Sequence, residues 1–299
     1  MEKPILVVGA TGRHGGTGGI VARMLLERKV PVRALVRTLD QRAEALRALG
    51  AELVQADLHD RLSLIPALEG IEAAYFTYPV AGGIVEAAAN FASAGRSTGL
   101  KRLVVMSMGP SHPQSPSHLG RAQWLAEDLF GWAGFNCLHL RIAAVFLENI
   151  ELCHRADIEG EGVVRNAFPD IPVSWITGQD CASIAVAALL TPEKFEGGPA
   201  VYPGSPHQYT QSELVGIIGE FLGRKLRYES ISMEAWRERL MPIVARDSRL
   251  NEDMVRHISS VAAALHNMKP LAPNDMIERV TGVRPMSLHE ALASRTLHI

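Results

Sequence analysis

The feature that most constrains the fold is a glycine-rich turn after the first run of apolar residues. Ile5–Val8 is a short apolar stretch, and Gly9–Gly19 is rich in glycine. An amphipathic run opens at Ile20–Leu25, and a second apolar stretch, Val32–Val36, ends at Arg37. This order predicts a strand, a tight turn, a helix and a second strand, which is how an open parallel sheet binds a dinucleotide.

Glycines in such a turn let the backbone approach a pyrophosphate, and the following helix offers unpaired N–H groups. We expect the turn to contact the cofactor through Gly9, Thr11, Gly12, Arg13, His14 and Gly15. Two glycines compete for the third position of the motif. Gly15 matches by count, whereas Gly18 has the better spacing to the apolar residues of the helix.

The residue that ends the second strand indicates which dinucleotide is bound. A carboxylate there would accept a hydrogen bond from the ribose 2′-hydroxyl of NAD, whereas an arginine suits the 2′-phosphate of NADP. Arg37 occupies this position. The sequence therefore predicts NADP(H), with a merely solvated strand end as the alternative for Arg37.

Composition excludes several other classes of protein. The chain has 299 residues, of which 47% are hydrophobic and 21% charged, and its net charge is −2. This balance is typical of a globular protein and gives no basis for direct nucleic-acid binding. The three cysteines form no C-x-x-C pair, and Cys153-His154 has no second pair at metal-ligand spacing. We expect no metal and no disulfide framework.

The chain enters its first apolar strand almost at once, and no signal peptide or long apolar run is visible. We therefore expect a cytoplasmic protein that does not bind membranes.

Strand and helix patterns alternate through the first half of the chain, which predicts an α/β fold with a Rossmann-type, doubly wound parallel sheet. We expect this nucleotide-binding domain to span residues 1–149, with residues 173–204 returning to the sheet. Residues 150–172 and 205–299 would form a smaller, mostly helical lobe. Ligands in such folds lie beyond the carboxyl ends of the strands, so we expect a small-molecule substrate in the cleft between the lobes.

Several segments together resemble the NmrA-like branch of the atypical short-chain dehydrogenases. They are Val8–Gly15, Ala56–Leu58, Phe76–Pro79, Leu140–Asn149 and Arg279–Leu288. The resemblance implies either an NADPH-dependent reductase of quinones, dyes or other small molecules, or a nucleotide-binding regulator that acts through a protein partner.

The resemblance also implies further cofactor contacts. Asp57 and Leu58 would lie near the adenine, although Asp57 could instead cap the next helix. Tyr78 and Pro79 follow the fourth strand and would border the cofactor ribose. Asn149 would face the cleft or cap a helix.

The acid/base pair of short-chain dehydrogenases, Tyr-x-x-x-Lys, is absent, because no tyrosine lies between Tyr78 and Tyr202. Arg121, or a residue just after it, stands where many family members have a lysine, and it could bind a carbonyl oxygen but not cycle a proton. Ser107 is a candidate for polarising the substrate, and His118 for donating a proton. Ser107, at the end of the fifth strand, could equally satisfy local backbone groups, and His118 could be a loop histidine with no role.

Two functional hypotheses follow. The first is an NADPH-dependent reductase of a small carbonyl or quinone-like substrate, because a quinone accepts hydride with little acid/base help. The second is a non-catalytic NADP(H) sensor with a protein partner. This hypothesis predicts that the Tyr-x-x-x-Lys pair is absent, as it is here. A third, a scaffold that no longer binds nucleotide, requires that the lengthened glycine turn block the pyrophosphate.

Overall fold

The computed structural model describes residues 3–12, 16–195 and 197–299. The strands are β1 (Ile5–Val8), β2 (Val32–Val36), β3 (Glu52–Gln55), β4 (Ala73–Phe76), β5 (Arg102–Met108), β6 (Asn136–Ile142), β7 (Val145–Phe146), β8 (Val163–Asn166), β9 (Val173–Ile176), β10 (Ala200–Val201), β11 (Gln208–Tyr209) and β12 (Arg227–Ser230).

The helices are α1 (Thr17–Glu27), α2 (Gln41–Ala48), α3 (Arg61–Leu68), α4 (Ile84–Thr98), α5 (His118–Trp132), α6 (Glu148–Glu159), α7 (Gly178–Leu190), α8 (Gln211–Leu222), α9 (Met233–Val244), α10 (Glu252–Ala264), α11 (Met276–Thr281) and α12 (Leu288–Ala293). Within the described part of the chain, no helix is both long and apolar enough to cross a membrane.

Seven strands form one sheet in the order β3-β2-β1-β4-β5-β6-β10, and every neighbouring pair is parallel. Because β1 lies beside both β2 and β4, the direction in which strands are added reverses at β1. Such a reversal opens a crevice at the carboxyl ends of the strands. The predicted fold class is therefore confirmed.

Both faces of this sheet are buried, which explains why its strands read as continuous apolar runs. On one face, Val7 packs with Leu25 of α1 and Ile184 of α7. On the other, Val8 packs with Phe91 of α4 and Phe130 of α5. Alternate side chains of β1 thus pack into two separate hydrophobic cores, one on each face of the sheet.

The second half of the chain adds two small sheets, one in the order β11-β9-β7 and a parallel pair, β12 and β8. Helices α8 and α12 pack on the first sheet through an apolar cluster that includes Trp175 and Leu214. A second cluster joins α6, α9 and α10 through Cys153, Trp236 and Met254. The chain leaves the central sheet after Ile142, and α6 begins at Glu148, so we propose that the two lobes divide near residue 149.

The amino terminus of α5 differs from its expected position. The sequence pattern predicts a helix from Gln123, whereas α5 begins at His118. Ser117 caps it, since its side chain accepts a hydrogen bond from the N–H of Gly120 at 3.4 Å. His118 is therefore the first residue of a helix and not part of a loop.

Candidate active site

The glycine turn begins where β1 ends. Gly9 has a φ of +73°, a conformation that L side chains rarely adopt, and its carbonyl accepts the N–H of Gly12 at 2.9 Å. A β-carbon on Gly18 would lie 2.6 Å from the carbonyl carbon of Gly9. Gly18 therefore lets α1 approach β1 closely, which is the packing role of the third glycine in a dinucleotide motif. The predicted contacts Arg13, His14 and Gly15 lie outside the described residues.

The amino terminus of α1 is open to a ligand. Gly16 occupies the cap position in the left-handed conformation, and no side chain of the described residues caps the helix. Thr17 anchors this end to the sheet, because its hydroxyl accepts a hydrogen bond of 3.0 Å from the buried Tyr75. The first N–H groups of a helix lack partners within the helix, so this arrangement fits an anion such as a pyrophosphate.

Two arginines lie near the far end of the turn. Arg37 directly follows β2 and is exposed. Arg42 begins the first turn of α2, where it pairs with Asp40 at 2.5 Å and donates to the carbonyl oxygen of Thr11 at 2.5 Å. Arg42 was not predicted from the sequence, although its position soon after the ribose-reading residue could have indicated a contact near the turn.

The predicted adenine and ribose contacts follow β3 and β4. Burial raises the pKa of the Tyr78 phenol, and the Asp57 carboxylate raises it further. The positive charge of Arg37 lowers the pKa of the same phenol. The charges of Asp57 and Arg37 therefore both lie within electrostatic reach of Tyr78, and the three residues follow the carboxyl ends of β3, β2 and β4.

Local hydrogen bonds fix this region. The carboxylate of Asp57 accepts the N–H of His59 at 2.9 Å, and Leu58 accepts the amide of Asn90 at 3.1 Å. Asp60, and not Asp57, caps α3. The capping role that was the alternative for Asp57 therefore belongs to Asp60.

A cavity of about 290 Å³ extends from the glycine turn into the second half of the chain. At one end it is lined by Gly9, Gly12 and Gly18, and also by Tyr78 and Pro79. Its remaining wall is largely apolar and aromatic, with Met106, Phe146, Phe168, Trp175, Trp236 and Met254 among the lining residues. Among the described residues of this wall, none is Asp, Glu, Lys or Arg.

Two amide side chains of the lining have buried atoms that lack a partner among the described residues. They are Nε2 of Gln123, in α5, and Oδ1 of Asn149, in α6. A buried polar atom without a partner is costly, and in native proteins it commonly serves a ligand or a water molecule. A donor and an acceptor are thus available at this cavity.

Comparisons with known proteins agree with this geometry. The model of the NmrA-like family matches residues 1–127. The (4-alkanoyl-5-oxo-2,5-dihydrofuran-3-yl)methyl phosphate reductase of Streptomyces griseus is 33% identical over 243 residues, covering 79% of this chain and 80% of the relative. The chain belongs to the NmrA-like family. Another relative, an NAD(P)H azoreductase of Xenophilus azovorans, is 28% identical over 293 residues, covering 94% of this chain and 91% of its own.

Solved structures of other proteins share this fold. An NADPH-dependent quinone oxidoreductase from Escherichia coli, complexed with NADPH, superposes with a TM-score of 0.83. The likeness covers 98% of this chain and 100% of that one at 21% identity.

In this NmrA-like chain, Ser107 lies at the end of β5 and lines the cavity. Its hydroxyl donates to the carboxylate of Glu127, which also accepts from Ser111 at 2.8 Å. Arg141 holds the same carboxylate, with Nε at 3.0 Å from Oε2. The Ser107 proton therefore points to Glu127, and Ser107 can polarise a substrate oxygen only if that bond is exchanged.

The other two predicted catalytic residues lie elsewhere. His118 places Nε2 at 3.3 Å from the carboxylate of Asp253, and Arg121 is exposed and donates to the carbonyl of Ser115 at 2.6 Å. Neither is among the described residues that line the cavity. Their catalytic roles stay predictions, and the structure does not bring them together with Ser107.

One lining residue that sequence reasoning missed is His257, in α10. Its Nδ1 lies 2.6 Å from the hydroxyl oxygen of Ser117. One turn earlier, the carboxylate of Asp253 accepts the N–H of Gly82 at 2.7 Å. Asn251 donates to the carbonyl of Val80 at 3.2 Å. Helix α10 is thus joined to two segments that follow strands of the central sheet.

Proposed function

We propose that this chain is an NADPH-dependent reductase of small, uncharged, conjugated carbonyl compounds such as quinones. The observation that carries the proposal is the single cavity that joins the glycine turn to an aromatic pocket. A cofactor at the turn and a flat acceptor against the aromatic wall would then share one continuous space, as hydride transfer requires.

The residues at the turn fit NADPH. Gly9 and Gly18 give the close backbone approach, the uncapped start of α1 offers N–H groups to the pyrophosphate, and Arg37 provides a charge for the 2′-phosphate. Arg42 would reinforce that charge from its position against Thr11. When bound, NADPH supplies a hydride and leaves as NADP⁺.

The cavity wall supports an uncharged acceptor. Burying a charged group requires an opposite charge or a dense set of hydrogen bonds. The described wall lacks lysine and arginine, so it is poorly suited to a phosphate such as the one in the name of the Streptomyces reductase. Aromatic rings such as Trp175 and Trp236 favour a planar, conjugated partner.

Hydrogen bonding within the cavity supports the same class. The Nε2 group of Gln123 can donate to a carbonyl oxygen, and the Oδ1 atom of Asn149 can accept from an amide or hydroxyl. Such donors stabilise the oxygen on which charge develops during reduction. A quinone also delocalises that charge, which lessens the need for the missing Tyr-x-x-x-Lys pair.

The first test is calorimetric titration of NADPH and NADH against the wild type and the Arg37→Ala variant. Charge-assisted hydrogen bonds contribute roughly 1.5–3 kcal/mol, so we expect the NADPH Kd to rise about 10- to 100-fold. NADH, which lacks the 2′-phosphate, should bind the variant and the wild type alike. Arg96→Ala, an exposed arginine of α4, is the matched control and should bind both nucleotides like the wild type.

The second test measures NADPH oxidation with quinones, aldehydes and a phosphorylated enone. Turnover of the uncharged acceptors in preference to the phosphorylated one supports the proposal. Tight NADPH binding without any turnover would instead favour the non-catalytic sensor.

A further inference from the structure

The cavity contains a histidine whose ring is oriented by a buried hydroxyl. Ser117 is fully buried, and its oxygen lies 2.6 Å from Nδ1 of His257. The same oxygen accepts the N–H of Gly120 as the cap of α5. The Ser117 oxygen has a second lone pair, so it can also accept Nδ1–H of protonated His257, and the other ring proton of that imidazolium lies on Nε2.

A second histidine, His154, also lines the cavity but differs in its surroundings. Its ring stacks on Trp236 with an interplanar angle of 10°, and it is only 8% exposed. A group that gives up a proton in each turnover must regain one from solvent. His257 is half-buried, so it combines contact with the cavity and access to water.

We propose that His257, oriented by Ser117, donates the proton that completes reduction of the substrate. This inference rests on the proposed reductase function. Imidazole is the side chain that titrates closest to neutral pH, which suits it to this task. Ser117 is a positioning residue in this scheme, because it acts through the histidine ring.

The step balances in atoms and charge. Addition of hydride to the carbonyl carbon breaks the C=O π bond and leaves an electron pair on oxygen. The Nε2–H bond of the protonated His257 imidazolium then breaks, its proton forms an O–H bond with that oxygen, and the neutral imidazole that remains regains a proton from solvent. One NADPH and one proton are consumed for each two-electron reduction.

Charged and titratable groups lie near this ring on α10 and on the helices packed against it. On α9, Arg237 donates to Ser259 and Ser260 of α10 at 2.7 and 2.9 Å. On α10, Asp253 and Arg256 form an ion pair one turn and one residue before His257. On α5, His118 follows Ser117 and contacts the same Asp253. A pH profile must therefore separate His257 from His118.

The kinetic test compares His257→Gln, His118→Gln and, as a matched control, His289→Gln, which is exposed on α12. Loss of a general acid costs typically 10²- to 10⁴-fold, and more when the product oxygen is more basic. We expect kcat of His257→Gln to fall about 10²-fold with an aldehyde and less with a quinone. The decline of kcat toward high pH, which deprotonation of the donor causes, should also disappear. A larger loss in His118→Gln, or an unchanged aldehyde kcat in His257→Gln, overturns the proposal.

Ser117 is tested by two substitutions. Ser117→Thr keeps the hydroxyl and should retain the pH profile of the wild type. Ser117→Ala should change that profile. Equal profiles for the two variants would show that the hydroxyl does not position the ring.

A binding measurement keeps this inference separate from the proposed function. 4-Nitrophenol changes colour on ionisation and imitates the oxyanion of a reduced product. We expect the wild-type protein to lower the apparent pKa of the bound phenol, and His257→Gln to abolish that shift. If the shift is lost in the variant but no acceptor is turned over by the wild type, the reductase proposal fails, and only the interaction of His257 with a bound oxyanion stands. If the shift survives in the variant, His257 is not the donor.

Discussion

A β-carbon on Gly18 would lie 2.6 Å from the carbonyl carbon of Gly9, so the first turn of α1 rests directly on the end of β1. This contact sets the distance between the helix terminus and the sheet. It therefore determines where an anion held by the α1 N–H groups would lie relative to the cavity.

Gly18→Ala should displace α1 from the sheet. The added methyl group meets backbone and not a flexible side chain, so we expect a destabilisation of about 1–3 kcal/mol and a large loss of NADPH affinity. Gly131→Ala is the control, because its β-carbon would meet nothing within 4 Å on α5 and should stabilise the fold by roughly 0.5–1 kcal/mol. Chemical denaturation and calorimetry measure both effects, and normal NADPH binding by Gly18→Ala would refute this role for the contact.

Glu127→Ala should be among the most destabilising substitutions behind the cavity. The Glu127 and Arg141 side chains are 4% and 11% exposed, and removing one partner leaves the other charge buried and unpaired. Breaking such a pair costs about 3–5 kcal/mol. The double variant Glu127→Met with Arg141→Met should recover much of that loss in urea denaturation. If the double variant is as unstable as the sum of the two single ones, the pair does not act as a unit.

Glu148 should make the protein less stable as the pH rises. Burial raises the pKa of its carboxyl group, and Oε2 has no partner among the described residues although Oε1 accepts the N–H of Gly178 at 2.8 Å. The folded state therefore holds its proton more tightly than the unfolded state, and stability falls as pH rises from the unfolded pKa through the folded one. Asp180, whose pKa burial also raises, adds to the same trend.

Glu148→Gln removes that ionisation while keeping an acceptor for Gly178. We expect the decrease in unfolding free energy between about pH 4.5 and pH 7 to become smaller in the variant. Glu44→Gln, an exposed residue of α2, should keep the wild-type slope. A slope unchanged by Glu148→Gln would show that this carboxyl does not control the pH dependence.

Asp253→Ala should loosen the segment after β4. Its carboxylate accepts the N–H of Gly82, and this bond is the main reason that its pKa is lowered. Hydrogen exchange at residues 79–83 should become faster in the variant, while exchange in β5 stays slow. Glu252→Ala, the preceding exposed residue, should leave both segments unchanged. Unaltered exchange at residues 79–83 would show that α10 does not hold this segment.

The first half of the fold could be predicted closely because its signals are local. The bounds of β2 and β3 match the apolar runs, and α3 begins after the cap that Asp60 provides. The start of α5 could not be predicted, because Gly120 obscures the helical pattern and the cap lies at Ser117. Helix α6 and strand β9 were missed, since they are stabilised by packing between segments distant in sequence.

The residues of the candidate site also differ in whether local sequence patterns predict them. The turn residues and Arg37 could be placed from spacing along one strand–turn–helix unit. His257 could not be placed, because it reaches the cavity from α10, and nothing in the 139 residues between it and Ser117 indicates that the two meet. Contacts of this kind depend on tertiary packing, which the periodicity of apolar residues along the chain does not predict.

The edge strand β10 and the helix α7 give this fold an order of assembly. Residues 178–190 cover one face of a sheet built mainly from residues 5–142, and Ala200–Val201 closes its β6 edge. During synthesis from the amino terminus, the nucleotide-binding sheet is therefore translated before its own cover. The part of its apolar face beneath α7 and its open edge stay uncovered until about fifty to sixty further residues have left the ribosome, the period in which a nascent sheet is most exposed to aggregation.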